Sequence, residues 1–166
     1  YLSLLQNIDF FRKNPNHYVA KNLNLISLSD LVGAPLRTFT FKLNNEFISI
    51  NPTTARYAKN WANLIDFFEL DKIFNNIKIT EIGAGYGGEA KIFFDLISTV
   101  DINFQSSDYE IFDLKSSEKL ISKFLSEFKY SANFKSLDDI NDSERNDKKK
   151  LCFSNGSISE MRGKLL

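Results

Sequence analysis

The chain has a single cysteine, a single histidine and no surplus of either charge among its 166 residues. With Cys152 alone no disulfide framework can form, and Cys152 with His17 cannot make a Cys/His zinc cluster. No metal site is expected, and the setting expected from this cysteine usage is a reducing cytoplasm. Lysine plus arginine and aspartate plus glutamate both number 21, so the net charge is zero. Such a chain has no long-range positive field to gather phosphate backbones, which argues against a nucleic-acid partner. No window approaches the ~20 apolar residues of a membrane span, and no signal-peptide pattern is visible in the stretch at hand.

What is present is an apolar fraction of 43% with 14% aromatics, enough for a real core and too much for global disorder. The length is that of one domain, or of a domain with a small appendage. The chain starts at Tyr1 and stops at Leu166 within a helical pattern, so it reads as part of a longer polypeptide.

Residues 3–12 carry Leu4, Leu5, Ile8 and Phe11 at helical spacing, whereas residues 13–30 are Asn- and Ser-rich and weakly patterned. Phe39, Phe41 and Leu43 alternate with polar residues, Asn44-Asn45 supplies a turn, and Glu46 to Ile50 runs back: a hairpin. Asn51-Pro52-Thr53-Thr54 opens a helix whose predicted buried stripe is Tyr57, Trp61, Leu64, Ile65 and Phe68. From residue 77 the pattern becomes strand–helix–strand. It comprises strand 77–82, helix 87–99 with Ala90, Phe93, Phe94 and Ile97 inward, and strand 109–113. Helix 116–128 follows, with Leu120, Ile121, Phe124, Leu125 and Phe128 on one face, then strands near 132–137 and 151–154. The charged run 138–150 reads as a loop or short helix. The fold class expected is α/β, a Rossmann-like parallel sheet over residues 71–166 under a helix-hairpin-helix cap over residues 1–70.

The most informative stretch is Glu81-Ile82-Gly83-Ala84-Gly85-Tyr86-Gly87-Gly88-Glu89, between a strand and a helix. In parallel sheets ligands sit beyond the carboxyl ends of the strands, so this loop is the default site. Backbone amides of residues 83 to 87 at a helix N-terminus suit an anionic group such as a carboxylate. Glu81, at the buried end of a strand, needs a partner, because stripping a carboxylate of water is expensive. A ligand ammonium group would supply one. Asp113, ending the next strand, is placed to accept two hydrogen bonds from a ribose diol, with capping of the following helix as the alternative. A ligand with an amino-acid end and a nucleoside end fits S-adenosylmethionine (SAM). Glu-x-Gly-x-Gly-x-Gly also resembles motif I of the SAM-dependent methyltransferases.

A longer series occurs in one order: Asp30 to Pro35, Asn51 to Tyr57, Glu81 to Glu89, Ile111 to Leu114, and Ser154-Asn155 with Ser159-Glu160. It resembles the sugar O-methyltransferase family of bacterial polysaccharide clusters, over roughly residues 30 to 160, with departures at Ala55 and Glu89. The resemblance implies a class I methyltransferase with a seven-stranded sheet whose C-terminal strands lie beyond this chain, SAM as donor, and a sugar or glycan hydroxyl as acceptor. It further implies cofactor contacts from Glu81, Gly83, Ala84, Gly85, Tyr86, Gly87, Asp113, Leu114 and Asn155. A general base is needed to deprotonate a hydroxyl; Glu160 is better placed for this than His17. Two alternatives stand. Gly83, Gly85 and Gly88 also satisfy the G-x-G-x-x-G of an NAD(P)-dependent oxidoreductase or epimerase, although Tyr18/Lys21 and Tyr57/Lys59 both miss its usual Tyr-x-x-x-Lys spacing. The third reading is a non-catalytic, methyltransferase-like fragment.

Overall fold

The computed structural model of the chain describes residues 2–33, 35, 37–69, 74, 77–100, 104–137 and 149–155. Contacts divide it into two compact units, Tyr1–Lys72 with Lys91–Asp101, and Ile73–Ala90 with Ile102–Leu166.

The first unit opens with helix α1 (Leu2–Lys13), which buries Leu4, Ile8 and Phe11 on one stripe. The weakly patterned stretch after it folds into two short helices, α2 (Tyr18–Lys21) and α3 (Leu23–Ser27), and a 3-10 turn at Leu28–Leu31. Helices of four or five residues are too short to show a period, yet they bury Val19, Ala20, Leu23 and Ile26. Strands β1 (Phe39–Leu43) and β2 (Glu46–Ile50) form the expected antiparallel hairpin. Asn44 and Asn45 both take positive φ, 50° and 67°, the conformation a two-residue hairpin turn requires.

Helix α4 (Pro52–Phe68) starts where Asn51 accepts a 2.7 Å hydrogen bond from the Thr53 amide. Asp30 secures the same end: it accepts from the Asn51 amide (2.5 Å) and from the Thr54 hydroxyl (2.6 Å). The buried stripe of α4 is turned from the predicted one, to Thr54, Ala55, Ala58, Trp61, Ala62 and Ile65; Tyr57 and Leu64 are half-buried and Phe68 is exposed. Small alanines let the neighbouring elements approach closely, which bulky residues at the same height could not. Trp61 packs on Phe93 with ring centroids 5.0 Å apart.

Helix α5 (Gly88–Ser98) is buried from Glu89 to Ile97, not on the single face predicted for it. Of the three charged residues on this interior stretch, Lys91 and Asp95 satisfy each other. Lys91 Nζ lies 2.5 Å from Asp95 Oδ2 and also donates to the Leu25 carbonyl of α3 at 3.0 Å.

The second unit is built on a sheet of four parallel strands in the order β5-β4-β3-β6: β3 (Ile77–Ile82), β4 (Tyr109–Asp113), β5 (Asn133–Ser136) and β6 (Lys149–Phe153). The chain steps outward from β3 to β4 to β5, then returns to the other side of β3. The switch point therefore falls between β3 and β6, and the order is compatible with a Rossmann-like fold. Helix α6 (Glu118–Ser126), preceded by a 3-10 turn at Lys115–Ser117, buries Ile121, Phe124 and Leu125. Leu120 is exposed, contrary to prediction, because the i, i+3, i+4 set beginning at Ile121 already defines the inward face. Among the described residues β6 borders the sheet, with Leu151 buried and Cys152 exposed. Most of the charged run 138–150 lies outside the described residues, as does the helix start near Ser159.

Candidate functional site

Successive residues of β3 point to opposite faces of the sheet, so Ile77, Ile79 and Glu81 share one face and Lys78 and Thr80 the other. Glu81 is thereby carried into the interior with 2% of its surface exposed. Its Oε2 accepts a hydrogen bond from the hydroxyl of Tyr109, 2.8 Å away on β4 and completely buried. Burial, and then the negative charge of Glu89, push the Glu81 carboxyl up to about 8; the Tyr109 hydrogen bond opposes this, and Asp113 adds to it. The Tyr109 hydroxyl is pushed well above its usual range by burial and by Glu81. Sequence inspection missed Tyr109, because only the register, which sets Tyr109 beside Ile79, reveals the pair.

Two lysines of this sheet, Lys78 and Lys135, are engaged with Glu110, reaching its Oε1 at 3.0 and 2.7 Å. Although burial raises the Glu110 carboxyl, these two cations hold it below the usual carboxylate range.

The glycine loop leaves β3 through three positive φ angles, 76° at Gly83, 61° at Gly85 and 92° at Gly87. The surroundings of two of these positions differ. A Cβ on Gly85 would meet nothing within 4 Å, so the backbone there is open to an approaching group. A Cβ on Gly87 would lie 3.3 Å from Ile121 Cγ2, so α6 packs directly on the loop. Tyr86 steadies the loop from the side, its ring edge-to-face with Phe124 at 4.9 Å, and Ala84 is buried beneath.

The loop amides are disposed differently from the sequence expectation that those of residues 83 to 87 await an anion. Gly83 N–H donates to the Phe112 carbonyl (2.8 Å), Gly85 N–H to Asp113 Oδ2 (3.1 Å) and Gly87 N–H to the Ala84 carbonyl (2.9 Å). Asp113 also accepts from the Leu114 amide through Oδ1 at 2.7 Å. It is therefore a brace between the end of β4 and the glycine turn and does not cap α6, which begins at Glu118. Leu114, beside it, is 61% exposed.

Across the switch point, Asn155 follows β6 and donates through Nδ2 to Glu89 Oε1 at 2.9 Å. Glu89, in the first turn of α5, is 2% exposed. The strand ends thus bring Glu81, the glycine loop, Asp113, Glu89 and Asn155 to one end of the sheet. Asp108 sits at the opposite end of β4, in a 3-10 turn at Ser106–Asp108. Glu160 lies outside the described residues.

His17 belongs to the first unit and is a structural residue there. Its Nδ1 accepts from the Val19 amide as the N-cap of α2, which leaves the proton on Nε2 to be donated to Asp66 at 3.0 Å. With both nitrogens engaged it is not available as a general base.

Among the described residues no group of three or more His, Cys, Asp or Glu is placed to hold a metal ion, and no helix is long and apolar enough to cross a membrane. No family model, curated protein or solved structure matches the chain.

Proposed function

We propose that the second unit binds SAM at the end of β3 and belongs to an O-methyltransferase acting on a sugar hydroxyl. The observation that carries this reading is Glu81, a buried acid at the head of a glycine turn whose acting charges, Glu89 and Asp113, are both negative. Such a carboxyl calls for a cationic ligand group, and the ammonium of an amino-acid moiety is one. The donor set fits the rest of that ligand. Gly85 presents open backbone, and Asp113 holds two acceptor oxygens against amide donors that ribose hydroxyls would replace. Leu114 offers exposed apolar surface beside Asp113 for a nucleobase. A dinucleotide fits less well, since its pyrophosphate would meet the negative Glu89 and Asp113 and leave the buried Glu81 without a cationic partner.

Bound SAM supplies an electrophilic methyl group. The protein's own part is to hold the acceptor oxygen in line with it, which accounts for much of the rate of such transfers. The sugar acceptor rests on the family resemblance alone. Glu89, fixed by Asn155 across the switch point, and Glu160 are the candidates for taking the acceptor's proton.

Calorimetric titration of the protein with S-adenosylhomocysteine, the demethylated product, should give micromolar-range binding, and NADH should bind more weakly. Equal or tighter binding of NADH would replace this reading by the oxidoreductase one. Binding of neither would favour a non-catalytic chain. Asp113→Ala should weaken the product's binding about ten- to a hundredfold, the loss of charge-assisted hydrogen bonds of ~1.5–3 kcal/mol.

A further inference from the structure

Resting on the SAM reading, one consequence follows from how Glu81 is surrounded. Among the described residues, the titratable groups that act on it are acids: Tyr109 from β4, Glu89 from α5, and Asp113 from the end of β4. From β6 its register neighbour is Phe153, which does not titrate, and on its own strand Lys78 points to the other face and pairs with Glu110. Among the described residues, the hydrogen bond made to its Oε2 comes from a neutral phenol. A carboxyl so enclosed keeps its proton until a cation arrives.

We propose that Glu81 is protonated in the free protein and that entry of the ligand's ammonium group expels this proton, making ligand binding proton-coupled. The balance is simple. The ammonium arrives already charged, the Glu81 carboxylic acid gives up one proton to solvent, and an ammonium–carboxylate pair forms with no covalent change. The coupling belongs to the amino-acid end of the ligand. A nucleoside thioether without that end has no reason to displace the proton. The carboxyl's position near 8 places the exchange across the neutral range.

The test uses calorimetry of the whole protein with S-adenosylhomocysteine in pairs of buffers that differ in ionisation enthalpy, from about pH 6 to about pH 9. 5′-Methylthioadenosine, which lacks the amino-acid end, is the control. The product should release close to one proton near neutrality, with affinity rising up to tenfold per pH unit and levelling above about pH 8. Methylthioadenosine should bind with no proton release and a flat profile. A ligand-free readout accompanies this. The infrared carbonyl band of a protonated buried carboxyl should be present at neutral pH and absent in Glu81→Gln. If the product binds with a flat profile and no proton release, the coupling is overturned while the SAM reading survives. If the product fails to bind at any pH, the SAM reading fails and the coupling falls with it. Absence of the infrared band would overturn the protonated state independently of any ligand.

Discussion

Glu81→Gln offers a test of the buried acid that needs no ligand. A carboxyl whose value rises from 4.5 to about 8 on folding binds more protons in the native than in the unfolded state across that interval. Native stability is then fully present below the unfolded value, falls as pH rises through the window from 4.5 to about 8, and levels beyond it. At 1.36 kcal/mol per pH unit, a rise from 4.5 to about 8 makes the total loss on the order of a few kcal/mol. Glutamine keeps an oxygen to accept from the Tyr109 hydroxyl, and its amide replaces the carboxyl O–H donor, so the variant should lose little at acid pH. Urea denaturation of both proteins should give similar stabilities near pH 5. The variant should be ahead by several kcal/mol near pH 8.5, because its profile lacks the Glu81 titration. Parallel profiles, or a variant less stable at every pH, would refute the account of Glu81 as an acid held neutral by the fold.

Further outcomes follow from the geometry at three places. Gly85→Ala should cost only ~1–2 kcal/mol, the penalty of a left-handed backbone, because its Cβ enters open space; Gly87→Ala should melt lower still, since its Cβ presses Ile121 at 3.3 Å. Glu110→Ala should destabilise by about 3–5 kcal/mol in urea, because it strips the carboxylate from two cations at a buried position. Glu110→Gln should flatten the loss of stability as pH drops through the lowered Glu110 value, the opposite sign to Glu81. His17→Ala should cost about 1 kcal/mol through loss of the α2 cap, while His17→Asn, with a capping oxygen of its own, should recover part of it.

The strands, the hairpin and the order of elements were legible because their signals are local. Alternation in 39–43, two asparagines tolerant of positive φ, and a glycine run between an apolar strand and a helix each state their structure within a few residues. Faces were read less well than elements. On α4 the large residues drew attention to Tyr57 and Phe68, whereas the buried side is built on alanines, whose small size shows its value only when a neighbour is in place. On α5 a Lys–Asp pair four residues apart ordinarily marks a solvated face. Here it is interior because Lys91 finds the carbonyls at the end of α3, far away in sequence. The short helices after α1 were hidden for want of length. At the candidate site, Glu81, the glycines and Asp113 stand out by residue type and position. Their partners, Tyr109, the Gly85 amide and the Asn155–Glu89 pair, depend on strand register, which a single sequence does not display.

The placement of β3 at the switch point also orders events in time. On one side it pairs with a strand 30 residues on, Ile79 with Tyr109, and on the other with one 72 residues on, Ile77 with Lys149. Closing the longer loop costs about 0.8 kcal/mol more in chain entropy by the logarithmic scaling, and parallel pairing over such separations is slow. Loop entropy thus favours pairing of β3 with β4, Glu81 against Tyr109, ahead of the docking of β6. The bridge from Asn155 to Glu89 requires that docking, so the same bias favours burying Glu81 before Glu89 gains its partner beyond β6.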